Sequence, residues 1–421
     1  MTAEVVYAAN MIHMRMAVDD MCDRLIRHLG DSLVYVARVS RRGVDHNNAC
    51  FVYQEHRLVP VVGDHVEATA QLLGSVSLLR VDGRGYVFLG NRKVELRQFP
   101  DPTPGPGEVV LEIKASGLCG SDLHVYRRET PHSLEIIGGH EPAGVVVAVG
   151  PGAVGPVAKI GARVMVHHYH GCTACEQCRT GWSQLCTEQQ IELYGGTAHG
   201  AHAEYMKVPA DTLVPLHPSL SFSAGAAIGC GTGTAWGALE RAGVTGRETI
   251  AVFGQGPVGL STTMLASAMG ARVIAVDIAA SRLATAREFG AWETIDASEG
   301  DVAGRIKALT GGKGVSHAIE TSGASPAAKD GLESLAKWGS LTLVGLGSKL
   351  ELDSMALLSA QVGVQTSWSM SWVGQKQCAD FVVARDLPID RLFSDSFALD
   401  QCAAAYALFD RQDRGKVALV S

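Results

Sequence analysis

The sequence predicts an α/β protein: a mostly-β region, then a doubly wound parallel sheet, with an additional segment ahead of both. Three observations lead there. Between residues 108 and 166, short apolar runs are punctuated by glycine and proline, the pattern of strands joined by tight turns. From Thr249 onward, strand-length apolar runs alternate with helix-length ones, and that alternation calls for parallel strands joined by crossovers. Between the two regimes, Cys119 to Gly259 carries a dense series of cysteines, histidines and glycines.

Length and composition narrow the classes. A chain of 421 residues can hold two or three domains, each with its own core. An apolar fraction of 47% with 48 glycines describes a tightly turned globular protein. The net charge is −7 and the basic residues are scattered, which argues against nucleic acid as the main partner, because phosphate backbones demand a concentrated basic face. No apolar run reaches the ~18 residues of a membrane span. Glu4 and the absence of a basic leader argue against a secretory signal. Of ten cysteines, five lie between residues 172 and 230 at metal-like spacings, so reduced thiolates and a cytoplasmic setting are expected.

In chain order, residues 1–84 carry no motif. Met16, Met21, Leu25 and Leu29 form a stripe that suggests a helix over 11–29, and residues 51–53 and 58–62 suggest short strands. Cys22, His46, Cys50, His56 and His65 have the spacing of no metal site and are read as scattered surface or packing residues. The segment is expected to be a small extra domain or upstream sequence. Pro100 to Gly107 is a rigid connector of alternating proline and glycine. Val109, Leu111, Ile113 and Ala115 alternate with Val110, Glu112 and Lys114, predicting a strand over 108–115 with one buried face. Short strands follow at 144–149 and 162–166. The later regime predicts strands at 249–253, 272–276, 316–320 and 340–344, with helices at 257–269 and 281–289.

Cys172, Cys175, Cys178 and Cys186 supply four thiolates within fifteen residues. Zinc in a structural role takes such a closed tetrahedral shell; free thiols, a disulfide pair or an iron–sulfur cluster are the alternatives. A catalytic zinc needs three protein ligands and an open position, and Cys119, His140 and Cys230 are the candidates. Taken singly, Cys119 or Cys230 reads as a buried structural cysteine. Asp122 is placed to orient His140. Ser121, two residues past Cys119, can take a hydroxyl proton, and His124 can pass it to solvent; the plainer alternatives are a turn hydroxyl and a surface histidine. His167, His168 and His170 are read as flanking the four-cysteine lobe, and Trp368 and Trp372 as pocket or packing residues.

Gly254-Gln-Gly256-Pro257-Val258-Gly259 follows a predicted strand and opens a predicted helix, the context that gives this glycine pattern its meaning. Gly254 would allow the turn, Gly256 the approach of a pyrophosphate, and Gly259 the packing of helix on strand. Pro257 suits the first helical turn. Asp277, 18 residues after Gly259, favours NAD by accepting ribose hydroxyls and repelling a 2′-phosphate; a helix cap is the alternative. Arg282 leaves some room for NADP.

Taken together and in this order, Gly-Leu-Cys119-Gly-Ser121-Asp122-Leu-His124, Gly-Gly-His140-Glu141-Pro, the four-cysteine run, Gly-Cys230-Gly-Thr-Gly-Thr and the glycine loop resemble the zinc-dependent medium-chain alcohol dehydrogenases. The resemblance covers about residues 86–421. It implies a GroES-like catalytic domain over 85–232 and 368–421, with the structural zinc lobe at 172–186, and a Rossmann domain over 233–367. Residues 1–84 are then an extension. It implies two zinc ions per chain, one held by Cys119, His140 and Cys230 at the cleft, with Glu141 standing beside it. Zinc lowers the pKa of bound water from ~15.7 to ~7, and the same effect lets an alcohol ionise and yield a hydride to NAD. A relay from Ser121 to His124 through the nicotinamide ribose, a small primary or secondary alcohol as substrate, and a homodimer or homotetramer are further implications. A polyol or amino-alcohol dehydrogenase is the runner-up, with a non-catalytic NAD- and zinc-binding protein behind it. One departure is Ala162 where the family usually has aspartate in the Gly-Asp-Arg-Val turn.

Overall fold

A computed structural model of the chain describes residues 82–129, 135–413 and 415–421, and before residue 82 only the backbone of short strands. Among these, Cys50–Gln54 pairs antiparallel with Arg57–Val61, where short strands were expected. Where the expected helix over 11–29 falls on described residues it is replaced by strands, His13–Met14 and Ile26–Leu29; the rest of that span lies outside the described residues. Ile26–Leu29 pairs with Ser32–Tyr35, two runs separated in sequence by Gly30-Asp31, a dipeptide that favours hairpins over helices. His46, His56, His65 and Cys22 lie outside the described residues, as does the side chain of Cys50.

The first sheet grows from the alternating region. A hairpin of β1 (Asp82–Gly90) and β2 (Lys93–Pro100) turns at Asn91 and Arg92, both in the left-handed region. The sheet itself holds β3 (Glu108–Gly117), β4 (Pro142–Val149), β5 (Arg163–Val166), β6 (Tyr205–Pro209) and β7 (Leu213–Pro215). Its order is β7-β5-β4-β3, with β6 also pairing β3. Because β3 is central, Val110 and Ser116 are buried along with the predicted face, so the strand has more than one buried face. Val109, Leu111, Ile113, Val146, Val164, Met206 and Val208 form its core.

The second sheet is parallel throughout: β8 (Thr249–Phe253), β9 (Arg272–Asp277), β10 (Glu293–Asp296), β11 (Val315–Glu320), β12 (Leu335–Leu343) and β13 (Gly363–Thr366). The order β10-β9-β8-β11-β12-β13 reverses direction of growth beside β8, and in such sheets ligands bind at that switch, beyond the strands' carboxyl ends. Helices Pro257–Met269 and Ala280–Glu288 cross over as the periodicity predicts.

The tail returns to the first sheet. Phe393–Ala398 (β14) and Lys416–Val420 (β15) pair in parallel, and β15 lies antiparallel on β3. One core joins the two sheets: Met165, Val214 and Ile228 pack with Ile250, Val252, Leu265 and Val382. No helix among the described residues is long and apolar enough to cross a membrane.

Candidate active site and metal centres

Strand β3 ends at Gly117, and two residues later Cys119 stands before the helix Gly120–Tyr126. The Cys119 N–H donates to Asp122 Oδ2 (2.9 Å), which closes the first turn of the helix that carries Ser121 and His124. His140 and Glu141 precede β4, and Cys230 separates two consecutive helices, Phe222–Gly229 and Gly231–Ala242. Three separate segments thus converge, and one ligand atom from each of Cys119, His140, Glu141 and Cys230 lies within 4.8 Å of the others.

The geometry fits zinc. Thiolates tetrahedral about an ion at ~2.3 Å are about 3.8 Å apart; Cys119 and Cys230 Sγ are 3.8 Å apart. In the four-cysteine lobe the sulfurs of Cys172 and Cys178 are 3.9 Å apart, and those of Cys175 and Cys186 4.0 Å. Backbone N–H groups point at these sulfurs, Cys172 N–H at Cys186 and Cys175 N–H at Cys172. Backbone hydrogen bonds hold the Cys175 thiol down at about 6, the direction a metal ligand needs.

Electrostatics at the first centre are strongly coupled. Burial alone would push His140 down, but Asp122, whose Oδ1 is 3.0 Å from His140 Nδ1, and the Cys119 sulfur hold its pKa well above the ordinary value. Asp122 is fully desolvated, yet the His140 charge and hydrogen bond bring it to about 2. The Cys119 thiol is lowered by its hydrogen bond with Cys230 and by His140, while Cys230 is raised by the same contact and by burial. Burial pushes Glu141 up and Lys416, whose Nζ lies 2.5 Å from its Oε2, pulls it back toward the ionised form. Ser121 Oγ reaches His140 Nε2 at 3.4 Å, and His124, on the same helix, is exposed.

The glycines around His140 make room for side chains rather than for an ion. A Cβ on Gly139 would lie 2.4 Å from His202 Nδ1, and one on Gly138 would lie 2.5 Å from the Phe88 ring. On Gly117 it would strike Glu141 Oε2 at 1.9 Å.

The glycine loop has the geometry its pattern predicts. Gly254 is left-handed (φ +84°), a Cβ on Gly259 would lie 1.8 Å from the Gly254 carbonyl, and one on Gly256 would meet no protein atom within 4 Å. The helix starts at Pro257 with Val258 next. Asp277 ends β9 and accepts from the Gln255 N–H (2.5 Å) and the Ala279 N–H (2.8 Å), so it braces the loop and the start of the next helix. Arg282 Nη1 lies 3.9 Å from Asp277 while its other nitrogen bonds the Gln412 carbonyl.

One expectation is corrected, and one alternative is decided. His168 does not merely flank the lobe: its ring lies 5.2 Å from that of His140, and Nδ1 meets the Gly229 carbonyl at 2.9 Å. Trp372 is a packing residue whose Nε1–H donates to the Leu213 carbonyl (3.1 Å), whereas Trp368 is half exposed and stands edge-on to Tyr169 at 5.6 Å. Lys416, His202 and Tyr406 were missed. Lys416 left one trace, a cation beside the apolar run Val417–Val420.

Comparison with known proteins agrees with this arrangement. Residues 105–218 match the alcohol dehydrogenase GroES-like domain, and residues 257–384 the zinc-binding dehydrogenase domain. An uncharacterized zinc-type alcohol dehydrogenase-like protein of Escherichia coli is 36% identical over 78% of this chain and 96% of its own length. The sorbitol dehydrogenase of Bacillus subtilis is 34% identical over 64% of this chain and 76% of its own. Among solved structures, acetophenone reductase from Geotrichum candidum in complex with NAD superposes with a TM-score of 0.73 at 25% identity, covering 82% of this chain and 99% of that one.

Proposed function

This chain belongs to the zinc-dependent medium-chain alcohol dehydrogenase family, and from that premise we propose an NAD-dependent dehydrogenase that interconverts a small primary or secondary alcohol and its carbonyl. The observation that carries the proposal is the convergence of Cys119, His140 and Cys230 from three segments into one metal-sized set. Those three residues would hold the catalytic zinc and Cys172, Cys175, Cys178 and Cys186 the structural one. When bound, zinc supplies the Lewis acidity that lets an alcohol ionise near neutral pH, and NAD supplies the hydride acceptor.

The chain's own residues do the rest. Asp122 fixes the His140 ring, so that Nε2 faces the site. Ser121 Oγ, beside Nε2, receives the substrate's hydroxyl proton through a hydrogen bond. His124, exposed and three residues on, delivers it to solvent. Glu141 stays beside the ligands, held by Lys416. Gly254, Gly256, Pro257, Val258 and Gly259 bind the pyrophosphate, whose charge the helix N-terminus favours. Asp277 accepts the adenosine ribose hydroxyls, and its backbone bonds hold it in place for that.

We assign residues 85–232 with 368–421 to the zinc-holding domain and 233–367 to the NAD domain, and expect a homodimer or homotetramer. The row of rings from His140 through His168 and Tyr169 to Trp368 favours an alcohol with an apolar arm. The likeness to a sorbitol dehydrogenase supports the polyol alternative. NADH formation from NAD over a panel of simple alcohols, polyols and amino alcohols tests both. Turnover on one class that disappears in Cys119→Ala is the expected result. No turnover on any class, in a protein containing two zinc ions, would sink the enzymatic reading.

A further inference from the structure

We infer that Tyr406 and His202, backed by Ser116, are positioning residues for His140, acting through Asp122; this rests on the zinc reading proposed above. All four residues of the series behind His140 are at least nine-tenths buried: Tyr406 and His202 at 0% exposure, Ser116 at 1% and Asp122 at 4%. They form an unbroken hydrogen-bonded series. His140 Nδ1 meets Asp122 Oδ1 at 3.0 Å, Asp122 Oδ2 meets the Tyr406 hydroxyl at 3.1 Å, that hydroxyl meets His202 Nε2 at 2.6 Å, and His202 Nδ1 meets Ser116 Oγ at 2.9 Å.

Donor and acceptor counting gives this series one direction. Asp122 Oδ2 already takes the Cys119 N–H and its Oδ1 faces His140 Nδ1, so both carboxylate oxygens act here as acceptors. The Tyr406 O–H must therefore donate to it, and the Tyr406 oxygen is left to accept from His202. That places the His202 proton on Nε2. A neutral imidazole then has a bare Nδ1, which must accept from the Ser116 O–H. Burial lowers His202 to about 4, so the neutral ring is the one present. At the other end, Asp122 takes the Nδ1–H of His140 and leaves the Nε2 lone pair free for a metal.

Among the described residues, the Tyr406 hydroxyl meets only Asp122 and His202. The Tyr406 ring is placed by Phe88 (centroids 5.1 Å apart, near-perpendicular) and Tyr126 (5.3 Å), so the core positions the ring and the O–H adds direction. Asp122 Oδ2 is shared between Tyr406 and the Cys119 N–H, which ties two of the proposed ligands to one carboxylate. His202 is also locked to the ligand loop, because its ring occupies the space a side chain at Gly139 would fill.

The experiment uses the full chain, zinc-loaded and zinc-free, as wild type, Tyr406→Phe, Ser116→Ala and Ser116→Thr. Two quantities are read: zinc release to a chromogenic chelator, and histidine ring tautomers by nitrogen–proton correlation NMR. Wild type should show His202 protonated on Nε2 in both samples and, with zinc bound, His140 protonated on Nδ1. Tyr406→Phe should release the zinc held by the Cys119 set on the order of tenfold faster, within the range for outer partners of metal ligands. Zinc in the four-cysteine lobe should leave at the wild-type rate, which separates positioning from general loosening. Ser116→Ala should move His202 toward the Nδ1–H tautomer and speed release less, and Ser116→Thr should restore both. Should Tyr406→Phe not fold, the two serine variants decide the question. The inference is overturned if wild-type His202 carries its proton on Nδ1, or if neither release nor the His140 tautomer changes in any variant. A protein taking zinc only at the lobe would overturn the zinc reading, while the tautomer order in the zinc-free sample still decides the inference.

Discussion

At Lys416 and Glu141, two opposite charges with 2% and 0% side-chain exposure sit against each other. Removing one strands the other, and breaking a buried pair costs about 3–5 kcal/mol. Lys416→Met should therefore lower unfolding free energy by that order in denaturant titration, and adding Glu141→Gln should return much of it; additive losses would show that the pair is not coupled. Ser121→Ala should reduce kcat by about 10²–10⁴, the usual worth of a positioned proton acceptor, with KM nearly unchanged. An unaltered kcat would remove Ser121 from the relay. The Cys119-to-His124 motif was legible because its residues are neighbours in sequence. Lys416 and Tyr406 were not, since Tyr406 reaches Asp122 across 284 positions and only the return of β15 to β3 brings both in.

Among elements, the four-cysteine lobe does more than fold itself. Gln184 Nε2 donates to the Met370 carbonyl (2.8 Å), and the Trp372 N–H donates to the Gly181 carbonyl (2.8 Å). The lobe thus grips the start of the helix Trp372–Ala384, which packs into the core shared by the two sheets. A closed zinc shell contributes folding energy directly. Cys178→Ser should therefore abolish hydrogen-exchange protection at Trp372 while β8 and β9 keep theirs. Protection retained at Trp372 would mean that the grip does not depend on the metal. Cysteine spacing announced the lobe, but nothing in the spacing announced what it holds. Helix and strand limits in the parallel sheet were readable to within a residue at Thr249–Phe253 and Pro257–Met269. At the end of the run at 11–29 the reading differed, because Leu29 belongs as readily to the hairpin that Gly30-Asp31 turns as to a helical stripe.

For the molecule as a whole, acid sensitivity follows from buried neutral histidines. Burial lowers His167 and His202 to about 4, against an unfolded value of ~6.5. A depressed folded pKa means the unfolded chain binds the proton first, so the stability is complete above ~6.5 and falls as pH drops toward about 4. The loss is at most about 3 kcal/mol per ring over that window. Unfolding free energy measured from pH 7 to 4 should decline accordingly, with a shallower slope in His202→Gln. An unchanged slope would assign the acid limb to other groups.

The sequence by itself determined which residues are candidates for chemistry: cysteines and a histidine at ligand spacings, the strand–glycine–helix loop, and the change of period that separates the two sheets. These are short-range properties, set by what a metal, a phosphate or a backbone turn requires of adjacent residues. Tertiary structure decided which surroundings those residues meet. It placed Lys416 against Glu141, His168 against His140, and Tyr406 with His202 behind Asp122. Each is a long-range contact, and its partners are chosen by strand order and burial rather than by any local preference.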